Sequence, residues 1–218
     1  MKRVGLLGGT LDPIHQGHLD VAEAARRALG LTRVLVMPSR IPPHRRAPRA
    51  SAPHRFAMAA LAVQSCQDLL VSDLEMLDTS DTAPSYTAAT LDRLAARGVN
   101  TRELFFITGA DAFRDIRTWM GFPTILDRCH FVAVSRPGQP AEGLKTLLPE
   151  LADRMIAPQS GIRDQAAPGQ PSIVLVEAPT APVSSTEIRE RIRTGESIDG
   201  MVPREVAAYI EKHGLYRD

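Results

Sequence analysis

An apolar run, Val4-Gly5-Leu6-Leu7, leads straight into Gly8-Gly9-Thr10-Leu11-Asp12-Pro13-Ile14-His15-Gln16-Gly17-His18, and an amphipathic segment follows from His18 to Leu29. That pattern predicts strand, tight turn and helix. Arg33-Val34-Leu35-Val36-Met37 then completes a strand, helix, strand unit, which closes as a right-handed crossover in a parallel sheet. The turn has the chemistry of an anion cradle. Glycine lets backbone approach an anion closely, and the first turn of a helix presents unpaired N–H groups at the positive end of its dipole. His15 and His18, three residues apart, point together at whatever the turn holds. The phosphates of a nucleoside triphosphate suit it.

Bulk properties narrow the setting. With 218 residues the chain makes one α/β domain, or one with a small appendage, rather than two full domains. Its 26 basic and 25 acidic side chains leave a net charge of +1, so no global field calls for nucleic acid or an anionic membrane, and any anion site must be local. Cys66 and Cys129 lack CxxC or zinc-ligand spacing, and neither a secretory signal nor an 18-residue apolar span is visible. A reduced cytoplasmic protein, with both cysteines as small buried residues, is the expectation.

Further along, Pro38 to Pro53 is a proline-rich loop carrying His44 and arginines 40, 45, 46 and 49. It leaves the carboxyl end of a parallel strand, where α/β proteins bind ligands. A helix from about Pro53 to Ser65 is expected to bury Phe56, Ala60 and Val63. Leu69-Leu70-Val71 starts a strand, and the acidic stretch Asp73 to Pro84 reads as loop. Ser85 is placed to cap a helix through Arg97, with Leu91 and Leu94 inward. Leu104 to Ile107 is a buried strand entering a second small-residue turn, Thr108-Gly109-Ala110-Asp111, with a helix expected to reach Trp119. Phe131 to Val134 and Ile173 to Val176 are further strands. Residues 139 to 171 carry the least pattern, with a helix near Leu144 to Leu151. Ser184-Ser185-Thr186-Glu187 opens a helix to about Arg193, and a last one runs from Pro203 to about Lys212.

The motif His15-Gln16-Gly17-His18 resembles the T/H-x-G-H mark of the nucleotidyltransferase superfamily, and Ser184-Ser185-Thr186-Glu187-Ile188-Arg189 resembles that superfamily's second element. Pro42-Pro43-His44-Arg45, Ser85-Tyr86-Thr87, Gly109-Ala110-Asp111 followed by Trp119, and Val202-Pro203 through His213-Gly214-Leu215-Tyr216 are similar, in order and spacing, to bacterial nicotinate-nucleotide adenylyltransferases. Leu11 stands where phenylalanine is usual, and the acidic loop is longer than typical. The resemblance implies a Rossmann-like α/β fold: a doubly wound, mainly parallel sheet with helices on both faces. It also implies a single nucleotidyltransferase domain over residues 1–218, with a helical subregion at about 184–218.

The activity implied is the joining of ATP and nicotinate mononucleotide to give nicotinate adenine dinucleotide and pyrophosphate. Neither nucleic acid nor membrane is involved, and a homo-oligomer is left open. The acceptor phosphate is already anionic, so the task is in-line placement of two repelling anions and stabilisation of charge at the α-phosphate. His18 would bind the α-phosphate and His15 its neighbours, both held protonated by that charge. Gly8, Gly9 and Thr10 would line the phosphates. Ser185, Thr186 and Arg189 would grip the β and γ groups. Arg45, with His44 as a lesser candidate, would be a closing arm. Asp111, beside Gly109, would meet the ribose. Asp12 would either orient the turn through backbone N–H groups or touch ligand. For the acceptor, Trp119 offers a face to the pyridinium ring, although a lone tryptophan more often sits in a core. Tyr86 and Thr87, with Arg136 as a weaker candidate, would receive the nicotinate mononucleotide. Mg2+ would be held mainly through ATP phosphates, with no protein metal ligands. Three alternatives remain: another small-molecule nucleotidyltransferase such as one using pantetheine phosphate, a non-catalytic nucleotide-binding regulatory module, and a metal hydrolase on His15, His18 and His44.

Overall fold

The computed structural model describes residues 3–43, 47–77, 83–158 and 170–218. Among the described residues, β1 (Val4–Gly9), β2 (Arg33–Pro38), β3 (Leu69–Val71), β4 (Leu104–Gly109), β5 (His130–Val134), β6 (Met155–Ile156) and β7 (Ile173–Val176) form one sheet. Its order is β3-β2-β1-β4-β5-β7-β6, with every neighbouring pair parallel. The chain winds outward from β1 to β3 and then returns to start β4 on the other side of β1. β1 and β4 are therefore the switch point, and ligands of such sheets bind outside the carboxyl ends of the strands there.

Both faces are covered, so the strands read as continuous apolar runs rather than alternating ones. On one face Leu7, Phe105, Ile107, Val132 and Val134 pack with α1 (Gln16–Leu29), α2 (Ala52–Val63), α6 (Ser185–Thr194) and α7 (Arg204–Lys212). On the other, Leu6, Phe106, Phe131 and Ala133 pack with Leu91 of α3 (Thr87–Ala96), Phe113 of α4 (Ala110–Phe113) and Leu144 of α5 (Leu144–Leu147). Each such side chain withdrawn from water contributes about 1.5–3 kcal/mol before entropy is counted.

Three expectations are corrected. The inward face of α2 holds Arg55, Met58, Ala59, Ala62 and Val63, while Phe56 and Ala60 are only half-buried. The sequence face is thus rotated, because a guanidinium belongs to the buried side. The helix after Gly109 stops at Phe113, and a 3-10 turn, Ile116–Thr118, delivers Trp119 in extended conformation. Residues 139 to 171 contribute β6, a two-residue strand at the sheet edge beyond β7, which is too short to leave a pattern.

Candidate active site at the switch point

The turn after β1 is held from several directions. The Asp12 carbonyl accepts from Arg189 Nη1 at 2.7 Å, and the Pro13 carbonyl accepts from the Ser185 hydroxyl at 2.9 Å. Two segments about 170 residues apart in sequence therefore meet. Ser184 caps α6 by accepting from the Glu187 N–H at 3.1 Å, and Thr186 Oγ1 accepts from Arg189 Nη2 at 3.1 Å. The Ser185 hydroxyl proton is committed to the turn, whereas that of Thr186 stays available to a ligand.

His15 is the N-cap of α1 and is 3 % exposed. Its ring lies 3.7 Å from that of His18, centroid to centroid. The His15 N–H donates to His18 Nδ1 at 3.2 Å, so a neutral His18 ring carries its proton on Nε2 and donates from there. The His18 N–H faces the His15 side chain but gives its hydrogen bond to the His15 carbonyl at 2.9 Å. Buried His15 Nδ1 is left without a hydrogen bond among the described residues. Burial first, and then the Arg136 charge, lower the His15 pKa to about 4, against a smaller opposing effect of Asp20. Among protein groups alone this ring is therefore neutral at pH 7. Protonation would have to come from a ligand's negative charge.

The helix start also differs from a row of open donors. The Gln16 N–H goes to Met201 O at 2.9 Å, and the His18 and Leu19 N–H groups go to His15 O. Side chains, more than helix N–H groups, are thus what this end of α1 turns toward an anion. Asp12 is 5 % exposed, and its carboxylate accepts from the Arg49 and Ala50 N–H groups (2.8 and 3.0 Å) and from the Tyr216 hydroxyl (2.8 Å). Of its two expected roles, the structure shows the orienting one. Burial and the Asp12 charge push the Tyr216 phenol far up, so it remains a donor.

Beyond β4, Asp111 folds back across Gly109, where a β-carbon would collide with its Oδ1, and Arg136 packs against the same glycine. Arg136 is the weaker candidate for the acceptor. Its guanidinium lies over Gly17 and donates from Nη2 to Val183 O at 2.9 Å. That seat is over the start of α1, where the Val183 carbonyl just before α6 supplies the acceptor the guanidinium needs. Beside it, Ser135 to Pro140 and Glu177 to Thr180 line an open cavity of about 290 Å³.

Trp119 is half-buried and meets Phe106 and Phe131 edge-on, at 5.9 and 6.3 Å between centroids. Phe106 also lies 3.0 Å from where a Gly8 β-carbon would stand, so one ring touches both the turn and the indole. Gly121, whose φ of +87 favours glycine, sits against Ala88 in the first turn of α3. Thr87 opens that helix and Tyr86 is its N-cap. Ser85 does not cap it: its Oγ accepts from the Arg40 and Ile41 N–H groups at 3.1 and 3.2 Å, being closer to the loop after β2. His44 and Arg45 lie outside the described residues. Among the described residues no group of three or more His, Cys, Asp or Glu side chains could hold a metal ion, and no helix is long and apolar enough to cross a membrane. Cys129 is buried, with its thiol pushed up to about 12 by desolvation, and Cys66 is half-buried.

A family model described as Cytidylyltransferase-like matches residues 6–191. A probable nicotinate-nucleotide adenylyltransferase of Desulfitobacterium hafniense is 39% identical over 99% of this chain and 96% of its own. The nicotinate-nucleotide adenylyltransferase of Salmonella typhimurium is 37% identical over 97% of each. The chain belongs to the nicotinate-nucleotide adenylyltransferase family. Its fold is also that of the Plasmodium falciparum nicotinic acid mononucleotide adenylyltransferase complexed with NaAD, with a TM-score of 0.73 at 19% identity, covering 99% of this chain and 98% of that one.

Motif reading of this adenylyltransferase family sequence passes over Arg55 and Glu75. Arg55, 1 % exposed, donates to the carbonyls of Thr10, Ser39, Arg40 and Ala50. Glu75, 6 % exposed, accepts from the Thr90 hydroxyl and pairs with Arg93 at 3.3 Å, tying the acidic loop to α3. Neither the periodicity of α2 nor the acidic loop carries a signal for them.

Proposed function

We propose that this enzyme joins ATP and nicotinate mononucleotide, giving nicotinate adenine dinucleotide and pyrophosphate as a step of NAD biosynthesis. The observation carrying the proposal is the meeting at one switch point of the two histidines, the braced α6 start and, across Phe106, the Trp119 indole beside α3. The acceptor phosphate oxygen attacks the α-phosphorus of ATP, a new P–O bond forms, the α–β bridge breaks, and pyrophosphate leaves with the electron pair. The acceptor is already an anion, so no side chain need remove a proton from it.

The chain's own groups then position and neutralise. His18 Nε2–H donates to the α-phosphate as charge builds there, a contribution of the oxyanion-hole kind. His15 supports its neighbours, and the nucleotide's negative charge opposes the burial and Arg136 effects on its ring. Gly8, Gly9 and Thr10 line the phosphates, Thr186 and the remaining N–H groups of Arg189 take the β and γ groups, and Ser185 braces the turn. Arg45 is the closing arm. Arg136 moves in this reading to the donor side, next to the cavity beyond β5, whose size suits a nucleobase. Gly109 lets Asp111 reach the ribose. Trp119 stacks the pyridinium, with Tyr86 and Thr87 at its carboxylate.

Nucleotidyl transfer of this kind generally uses a divalent metal, and magnesium is the ion we assign. A turn offering imidazole, hydroxyl and guanidinium suits an anion better than a hard cation, and the Asp12 carboxylate is already taken. The ion would therefore ride on phosphate oxygens and water, where it supplies charge neutralisation for the departing pyrophosphate. Residues 1–218 are taken as one nucleotidyltransferase domain. Supporting this, Val206, Ile210 and Tyr216 share a core with Leu7 and Val34. The cytoplasm is its proposed location.

Pyrophosphate release from ATP and magnesium, measured with nicotinate mononucleotide, nicotinamide mononucleotide and pantetheine phosphate in parallel, tests the reading. Nicotinate mononucleotide should give the highest kcat/KM, by about tenfold or more if directed donors meet its carboxylate. Equal values for the two mononucleotides would remove the specificity, and activity with pantetheine phosphate alone would overturn the function.

A further inference from the structure

We propose that Arg55 is a positioning residue that sets the spacing between the donor and acceptor halves of the site. The inference rests on the assignment of those halves above. β1 and β2 run side by side through Gly9 and Pro38, and the Ser39 N–H still reaches Gly9 O at 2.8 Å. Past that point the ladder ends and the two chains diverge, one into the histidine turn and the other toward Arg40 and Ile41. Arg55 spans the gap. Its Nη1 donates to Thr10 O at 2.7 Å on the first chain and to Ser39 O at 2.5 Å on the second, while Nη2 reaches Arg40 O at 3.0 Å and Nε reaches Ala50 O at 3.2 Å.

The second chain passes the constraint on. Ser85 Oγ accepts from the Arg40 and Ile41 N–H groups, and the Ser85 N–H donates to Ile41 O at 2.7 Å. Two residues later Thr87 opens α3 and the acceptor side. A path of hydrogen bonds joined by short stretches of backbone therefore runs from Thr10 through Arg55, Ser39 to Ile41 and Ser85 to the start of α3. Arg55 suits that place because a planar guanidinium offers five N–H groups in a fixed fork. Its burial in α2 would be costly if uncompensated. The four carbonyls satisfy its N–H groups, and the Asp12 charge offsets part of the burial; Asp12 is itself locked by the Arg49 and Ala50 N–H groups and by Tyr216. Lysine keeps the charge but replaces the fork with a single ammonium, so Arg55→Lys tests geometry rather than charge.

Each half-site keeps its own contacts when the spacing loosens, so binding should survive while in-line alignment suffers. The experiment titrates wild type, Arg55→Lys and Ser85→Ala calorimetrically with ATP and magnesium and, separately, with nicotinate mononucleotide, and measures kcat for pyrophosphate release. The expected pattern in both variants is a stoichiometry near one and Kd values within about twofold of wild type, with kcat lowered about tenfold to a hundredfold. Full stoichiometry is the readout that loss of fold would not leave intact. Unchanged kcat, a fall in stoichiometry matching the fall in kcat, or a raised Kd for either substrate overturns the proposal. If Arg55→Lys does not fold, Ser85→Ala decides alone, since it leaves Arg55 in place and breaks the next link. Wild type without activity on ATP and nicotinate mononucleotide would instead remove the functional reading beneath it.

Discussion

The turn after β1 gives the carbonyls of Thr10, Asp12 and Pro13 to side chains from α2 and α6. Trp119, by contrast, is held by two ring edges and a glycine turn, and the Tyr86 cap of α3 makes no side-chain cap bond. Directional hydrogen bonds fix position along three axes, whereas edge contacts between rings tolerate rotation and sliding. On the proposed assignment, a donor half built in the first way would hold the reacting phosphate in place before the acceptor arrives, and an acceptor half built in the second way would settle around its ligand. Changes on the first side should therefore appear in kcat and those on the second in KM.

His18→Ala should have the largest effect. Loss of the Nε2–H donor is expected to lower kcat by about 10²–10³-fold, the range for one transition-state donor, with the melting temperature little changed. Steady-state rates at saturating ATP and nicotinate mononucleotide, with a thermal melt, check this. A change confined to the KM for nicotinate mononucleotide would break the comparison.

The second prediction concerns stability. His15 stays neutral in the fold down to about pH 4, whereas an unfolded chain protonates its histidine near pH 6.5. The unfolded state thus binds more protons between those values, and the contribution of neutral His15, complete above pH 6.5, is lost as pH falls through that window. From pH 7 to pH 5 this is about 2 kcal/mol. His130, also held down by burial and Arg3, acts with the same sign. Urea unfolding at the two pH values should show the fall in wild type and a smaller one in His15→Asn. Equal falls would mean that the donor half is less desolvated than its geometry indicates.

Trp119→Ala should raise the KM for nicotinate mononucleotide about tenfold, in keeping with the loss of one aromatic stacking surface, and leave kcat and the KM for ATP nearly unchanged. Initial-rate series in each substrate separate these outcomes. A fall in kcat of the same size would place the indole in alignment and not only in binding. Smallest is Tyr216→Phe, which removes one buried hydroxyl bond to Asp12 and should cost about 1 kcal/mol in urea unfolding. No measurable loss would show that the two N–H groups hold Asp12 without it.

Features whose physics is local were legible in the sequence. Apolar runs gave the six longer strands, and the family resemblance of the His15 to His18 and Ser184 to Arg189 segments pointed to the two elements that meet at the turn after β1. What was illegible depends on partners distant in sequence. Ser85 has the composition of a cap, yet the loop after β2 takes its hydroxyl. Arg136 bears the right charge for a carboxylate, but Val183 and Gly17 decide its place. The burial that keeps His15 neutral among protein groups is set by distant packing and by Arg136, neither of which its motif reveals. Arg55 falls on the wrong side of an amphipathic reading of α2 because a buried cation has no signature in periodicity. The break after Phe113 and the two-residue β6 are set by tertiary packing on segments too short for propensity to decide.

The hydroxyl of Tyr216 bonds the carboxylate of Asp12 across 204 residues of sequence. During synthesis the first turn leaves the ribosome well before this partner, 204 residues later in sequence, is added. A nascent chain can build β1 and its turn, but the lock on Asp12 closes only once residue 216 has emerged. Chains broken off before that point would carry every histidine and glycine of the turn after β1 and still lack the bond from Tyr216 to Asp12.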